Sequence, residues 1–127
     1  VAEQERLDAA IGLVQEEARD GRAVFLLEPT DTAVVEDETA FLHGGALATC
    51  VDTVAWAAVA SAHGEDWLVV DLRVDFTRLA RPVSHRVTGT VRRAGRRLAV
   101  ADVEIAPVDE PERPVALGRV TLARAGG

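Results

Sequence analysis

The first hydrophobic pattern along the chain is helical. Leu7, Ile11 and Val14 recur at i, i+4 and i+7 between residues 3 and 19, with Glu and Arg on the opposite face. This predicts an amphipathic N-terminal helix over residues 1–20, stopped by Asp20-Gly21. Two short β-like runs follow, Ala23 to Leu27 and Thr32 to Val35. Glu28-Pro29 breaks them, so they read as one interrupted strand or two halves of it. The acidic stretch Glu36-Asp37-Glu38 reads as a solvated loop. From Gly44 to Ala62 the chain is apolar nearly all round, and its length, its alanine content and the stop signal at Gly64 predict a buried central helix over residues 44–62. Beyond Trp67 the period shortens to that of a strand. Four antiparallel strands are predicted within residues 67–124: Trp67 to Thr77, Pro82 to Arg93, Arg96 to Ala106 and Pro114 to Arg124, each pairing with the next. Ala94-Gly95 reads as a tight hairpin turn that uses the tolerance of glycine for positive φ. Arg81-Pro82 marks another turn, and the proline- and acid-rich Pro107 to Pro114 an exposed loop.

This order of elements gives an α+β layout in which one antiparallel sheet wraps a buried helix. The 127 residues suit one domain, 1–127, without repeat or linker. Apolar residues at 48% and charged residues at 28% supply a core and exclude global disorder. The run from Gly44 to Ala62 has the length of a membrane span, but Asp52 in its middle and the Gly, Thr and Ser around it favour a buried helix of a soluble protein. The N-terminal Val-Ala-Glu-Gln-Glu-Arg has no secretory character and Cys50 has no partner for a disulfide, so a cytoplasmic protein with no membrane association is expected. Cys50 reads as a small core residue. It and His43, His63 and His85 lack metal-ligand spacing, so neither metal nor cofactor is expected. A sheet with an open edge or face calls for a second copy, a homodimer at least.

The net charge of −7 argues against nucleic acid as a partner, yet the sum hides a segregation. Residues 1–72 carry −12, residues 73–97 carry +7 with eight Arg against Asp75 alone, and residues 98–127 carry −2. All 14 basic residues are Arg. Base composition accounts for Arg in place of Lys but not for this concentration, whose planar guanidinium groups suit a phosphate-bearing ligand.

Asp52 is the single carboxylate between Gly44 and Ala62. A carboxylate there either lies on a narrow solvent-facing stripe or lines a pocket as base or nucleophile, because burying it unused is costly. His43-Gly44-Gly45 immediately precedes the helix. The two glycines allow a sharp turn and the close approach of a ligand, and the free N–H groups and positive dipole end of the helix make a candidate oxyanion hole. His43 itself is open to two roles, a structural one in the loop, bonding a carbonyl, or a direct part in binding or polarising substrate.

The run Leu42-His43-Gly44-Gly45-Ala46-Leu47-Ala48-Thr49-Cys50-Val51-Asp52-Thr53 resembles the His-Gly-Gly and downstream Asp signature of the hotdog-fold acyl-CoA thioesterases of the phenylacetic acid degradation (PaaI-type) family. Val70 to Phe76 and Arg81-Pro82 resemble the strand and proline turn that follow the helix in that family, so the likeness spans about residues 37–124. The resemblance implies hydrolysis of an acyl-CoA or acyl-pantetheine thioester in a homodimer or a homotetramer built as a dimer of dimers. The active site would lie between subunits. The N–H of Gly44 in one subunit would polarise the carbonyl, and Asp52 of the other would activate water or attack directly, with His43 beside them. Gly45, Asp37, Thr53, Trp56, Val69 and Val70 would bind substrate, and Arg78, Arg81, Arg96 and Arg97 are the first candidates for the coenzyme A phosphates. Two positions depart from the family pattern: Asp37 stands where Asn is usual, and Val69 or Val70 stands where a small hydroxyl residue is usual. The rival readings are a hotdog acyl-thioester dehydratase or hydratase and a non-catalytic acyl-CoA binding module.

Overall fold

The computed structural model describes residues 3–126. The N-terminal helix expected over residues 1–20 starts at positions outside the described residues and, within them, is much shorter. Helix α1 covers Glu3–Ile11 and is followed by strand β1, Leu13–Arg19, which pairs antiparallel with β2, Arg22–Leu27. The helix ends because Gly12 takes φ +91° and lies so close to the Glu28 carbonyl that a Cβ would sit 1.9 Å from its oxygen. Asp20-Gly21, read from sequence as a helix stop, is a two-residue hairpin with φ of +54° and +84°, the conformation that Asp-Gly favours between twisted strands. Glu16 and Glu17 on this edge strand face solvent and discourage further pairing.

The run after β2 separates from the main sheet. A 3-10 turn at Asp31–Ala33 leads into β3, Val34–Val35, which pairs with β4, Phe41–Leu42, as a small second sheet. Helix α2 then runs Gly44–His63, one residue longer than expected. The four later strands are β5 (Trp67–Phe76), β6 (His85–Ala94), β7 (Leu98–Pro107) and β8 (Ala116–Arg124). Consecutive pairing holds for β6 with β7 and β7 with β8 but fails for β5, which lies at the far edge beside β8. The six-stranded order is β1-β2-β6-β7-β8-β5. Arg81-Pro82 therefore sits in a crossing between β5 and β6 rather than in a hairpin. In the β6–β7 hairpin, Gly95 N–H donates to Leu98 O across a three-residue loop, and Gly95 is not in the left-handed region.

The sheet wraps α2. Val51, Val54, Ala55, Ala58 and Val59 are fully buried and meet Leu27, Val87, Ile105, Val120 and Leu122 from the strands. α2 has the length and hydropathy of a membrane span, but here it is the core helix beneath the sheet. Two glycines let it approach: a Cβ on Gly118 would sit 2.5 Å from Val51 Cγ1, and one on Gly89 would sit 3.0 Å from the Val54 carbonyl oxygen. Cys50 lies in this core, and burial helped by the charge of Asp8 pushes its thiol up to about 12, which leaves it inert at neutral pH. His85 is likewise buried. Its Nδ1 lies 2.6 Å from Val83 O, and burial lowers its pKa and favours the neutral ring.

Candidate active site

The first turn of α2 offers four backbone donors, and three are taken. Ala46 and Leu47 N–H both donate to His43 O, at 3.0 and 3.2 Å, and Gly45 N–H donates to His43 Nδ1 at 2.9 Å. His43 is the N-cap, with φ −62° and ψ 132°. The fourth donor, Gly44 N–H, has no acceptor among the described residues. The His43 ring makes a local bond, to the Gly45 N–H rather than to a carbonyl, which leaves the Gly44 N–H as the available donor at the positive end of the helix.

Neither Gly44 nor Gly45 lies in the left-handed region, so the chain does not need them for a sharp turn. A Cβ on Gly44 would meet only the exposed Phe76 ring, at an ordinary 3.4 Å. The fold does not demand glycine here. What a bare backbone provides is close access to the N–H from outside the chain.

Asp52 follows eight residues later on the same helix and is half-buried. It lines an open cavity of about 700 Å³ together with Gly45, Ala48, Thr49, Leu72 of β5 and Leu7 of α1. No described residue donates a hydrogen bond to its carboxylate. Desolvation therefore raises its pKa above the ordinary aspartate range, the condition that makes a carboxylate a better base near neutral pH. The cavity opens to solvent, and beside Asp52 the Thr49 hydroxyl donates to the Gly45 carbonyl at 2.9 Å.

Two neighbours of Asp52 serve the framework. Thr53 is buried, lines the same cavity, and donates from Oγ1 to Asp8 Oδ1 at 2.8 Å, which ties α1 to α2. Trp56, one turn further on, donates from Nε1 to the Trp67 carbonyl at 3.0 Å. Val69 packs half-buried against the core, whereas Val70, beside a β-bulge, is exposed. Asp37 is exposed and its Oδ1 accepts from Glu38 N–H at 2.8 Å.

The four arginines proposed for phosphate do not form one cluster within the chain. Arg78 and Arg81 flank Ala80, whose carbonyl accepts from Leu42 N–H beside the start of α2. Arg96 and Arg97 sit at the other end of that helix. There Arg124 reaches the Arg96 carbonyl at 2.9 Å and the His63 carbonyl at 3.4 Å, and stacks over Trp67 at 4.2 Å. A 20-residue helix separates its ends by about 30 Å. Arg92 lies on the outer face of the sheet and pairs with Asp102, which also takes two bonds from Arg119. Leu7 and Leu72, which also line the cavity, were not among the candidates drawn from sequence.

A six-stranded antiparallel sheet wrapped round one buried helix, entered through His-Gly-Gly, defines a hotdog domain of α+β class. The family model of the thioesterase superfamily matches residues 39–114, and the chain belongs to that superfamily. No curated protein matches it. Among solved structures, a thioesterase superfamily protein from Bordetella bronchiseptica is 31% identical, with 89% of this chain and 84% of that one covered and a TM-score of 0.81. A conserved protein of Pseudomonas aeruginosa is 26% identical over 98% of both chains, with a TM-score of 0.78. The PaaI protein of the Escherichia coli phenylacetic acid degradation operon is 25% identical, with 96% and 90% covered and a TM-score of 0.80.

Proposed function

We propose that this chain hydrolyses the thioester of an acyl-CoA, or of a related pantetheine carrier, in the cytoplasm as a homodimer or a dimer of dimers. The observation that supports this most is the unused Gly44 N–H at the mouth of the helix that carries a desolvated Asp52. The thioester oxygen accepts from Gly44 N–H. Asp52 takes a proton from water as the water oxygen attacks the carbonyl carbon, and the negative oxygen of the tetrahedral intermediate is held by the Gly44 donor. Collapse breaks the C–S bond, and the thiolate recovers the proton to leave free acid and thiol. If Asp52 attacks directly, the same donor serves a mixed anhydride, which water then cleaves.

One chain alone does not bring these groups together. Eight residues along a helix amount to about 12 Å, too far for Gly44 and Asp52 to act on one carbonyl. The β5 edge answers this. It is unpaired beyond β8 in the described sheet, and it exposes Leu68, Val70 and Phe76. Phe76 lies beside Gly44, and Leu72 lines the Asp52 cavity. Antiparallel pairing of two β5 edges about a two-fold axis near residue 74 sets residue 72 of one copy against residue 76 of the other, and so carries the partner's Gly44 toward Asp52. Incubation with a panel of acyl-CoAs and a thiol reagent tests the reaction. Release of free coenzyme A supports hydrolysis. Unchanged thiol with altered double-bond absorbance supports a dehydratase instead, and binding without either supports a binding module.

A further inference from the structure

Leu7 and Ile11 lie four residues apart on α1 and so share one face of the helix. Their surroundings differ sharply: Ile11 is 3% exposed in the core, while Leu7 is 50% exposed. Leu7 instead lines the open cavity that Asp52 and Leu72 also line. α1 is tied to α2 at this point. Asp8, the next residue, accepts the hydrogen bond from Thr53, which directly follows Asp52 on α2. The cavity thus has apolar walls from three elements, Leu7, Ala48 and Leu72, around one carboxylate.

We propose that Leu7 walls the acyl pocket and limits the acyl group the site accepts; this rests on the thioesterase reading above. The walls select an uncharged, apolar acyl chain. A dicarboxylic acyl group would bring a second negative charge beside Asp52 and is disfavoured. Leu7→Ala removes three carbons from the pocket wall and lets longer chains reach burial, whereas Leu7→Phe fills it. Each methylene that gains or loses burial changes kcat/KM about four-fold.

The test measures kcat/KM for straight-chain saturated acyl-CoAs from acetyl to lauroyl, with succinyl-CoA alongside, in wild type, Leu7→Ala and Leu7→Phe, each checked for folding by circular dichroism. The expected result is an optimum moved toward longer chains in the alanine variant and toward shorter ones in the phenylalanine variant. A general loosening of the fold would not move the two variants in opposite directions. Intact hydrolysis with the same chain-length profile in both variants overturns the role of Leu7 and leaves the thioesterase reading standing. If wild type releases no thiol from any substrate, the thioesterase reading fails. The same series read as Kd by calorimetry then decides on Leu7 alone, an unshifted profile again overturning it.

Discussion

Gly44→Pro removes the proposed oxyanion donor and leaves almost everything else in place. Gly44 is the first residue of α2, a position where proline is favoured because its fixed φ suits the helix and its missing N–H is one the helix does not use. The preceding residue must be extended, and His43 already is, with φ −62° and ψ 132°. The new Cβ would meet the Phe76 ring at 3.4 Å, and that side chain is 54% exposed and free to move aside. Stability is expected to stay level or rise by about 0.4–1 kcal/mol through the stiffer unfolded chain. Activity is expected to fall by about 10²- to 10³-fold, the usual loss when one oxyanion donor disappears. Thiol release from an acyl-CoA and thermal unfolding read the two quantities. Wild-type kcat in the folded variant would refute Gly44 as the donor. A loss of stability beyond about 2 kcal/mol would show instead that the fold itself uses this N–H.

Asp52→Asn should abolish hydrolysis yet stabilise the protein by about 1 kcal/mol near pH 7, because the desolvated charge disappears. Since the folded pKa of Asp52 is raised, the folded state binds more protons than the unfolded chain between the ordinary aspartate value and the raised one. The wild type therefore loses stability as pH rises through that window, and the advantage of the variant, measured as Tm against pH, should vanish at its acid end. Thr53→Val should cost about 1 kcal/mol and speed amide exchange in α1, because the bond to Asp8 is lost. Gly118→Ala forces a methyl against the fully buried Val51, 2.5 Å from Cγ1, and should destabilise by about 1–3 kcal/mol in chemical denaturation.

The parts of this fold that were legible in sequence are those written by local chemistry. The long apolar run with one carboxylate could only be a buried helix with a special residue, and the strand period beyond Trp67 was strong enough to place β6, β7 and β8 to within a few residues. Two errors share a cause in non-local contacts. The helical pattern through Val14 concealed that Gly12 is pinned against Glu28, and that Asp20-Gly21 is a hairpin rather than a helix stop. Nothing in the periodicity of β5 records that it crosses to the far edge beside β8, because register and order are settled by which strand covers which side of α2. At the candidate site, Gly44 and Asp52 stand out in sequence because their chemistry is conspicuous in that run. Leu7 and Leu72 do not, since an apolar residue lining a pocket looks like any core residue until the surface around it is known. The arginine concentration was real in sequence, but folding divides it between the two ends of α2 and the outer sheet face.

Each proposed catalytic centre takes Gly44 from one chain and Asp52 from another, and hybrid dimers can check this. Chains carrying Gly44→Pro and chains carrying Asp52→Asn are co-expressed with different tags, and thiol release is measured for each variant alone and for the mixture. Each variant alone should be near background. In an equal mixture half the dimers are hybrids, and one of the two sites in each hybrid joins an intact Gly44 to an intact Asp52, so about a quarter of wild-type activity per chain should return. A mixture that stays at background, with hybrid dimers demonstrated by the two tags, would overturn this arrangement and mean that each centre takes both groups from the same chain.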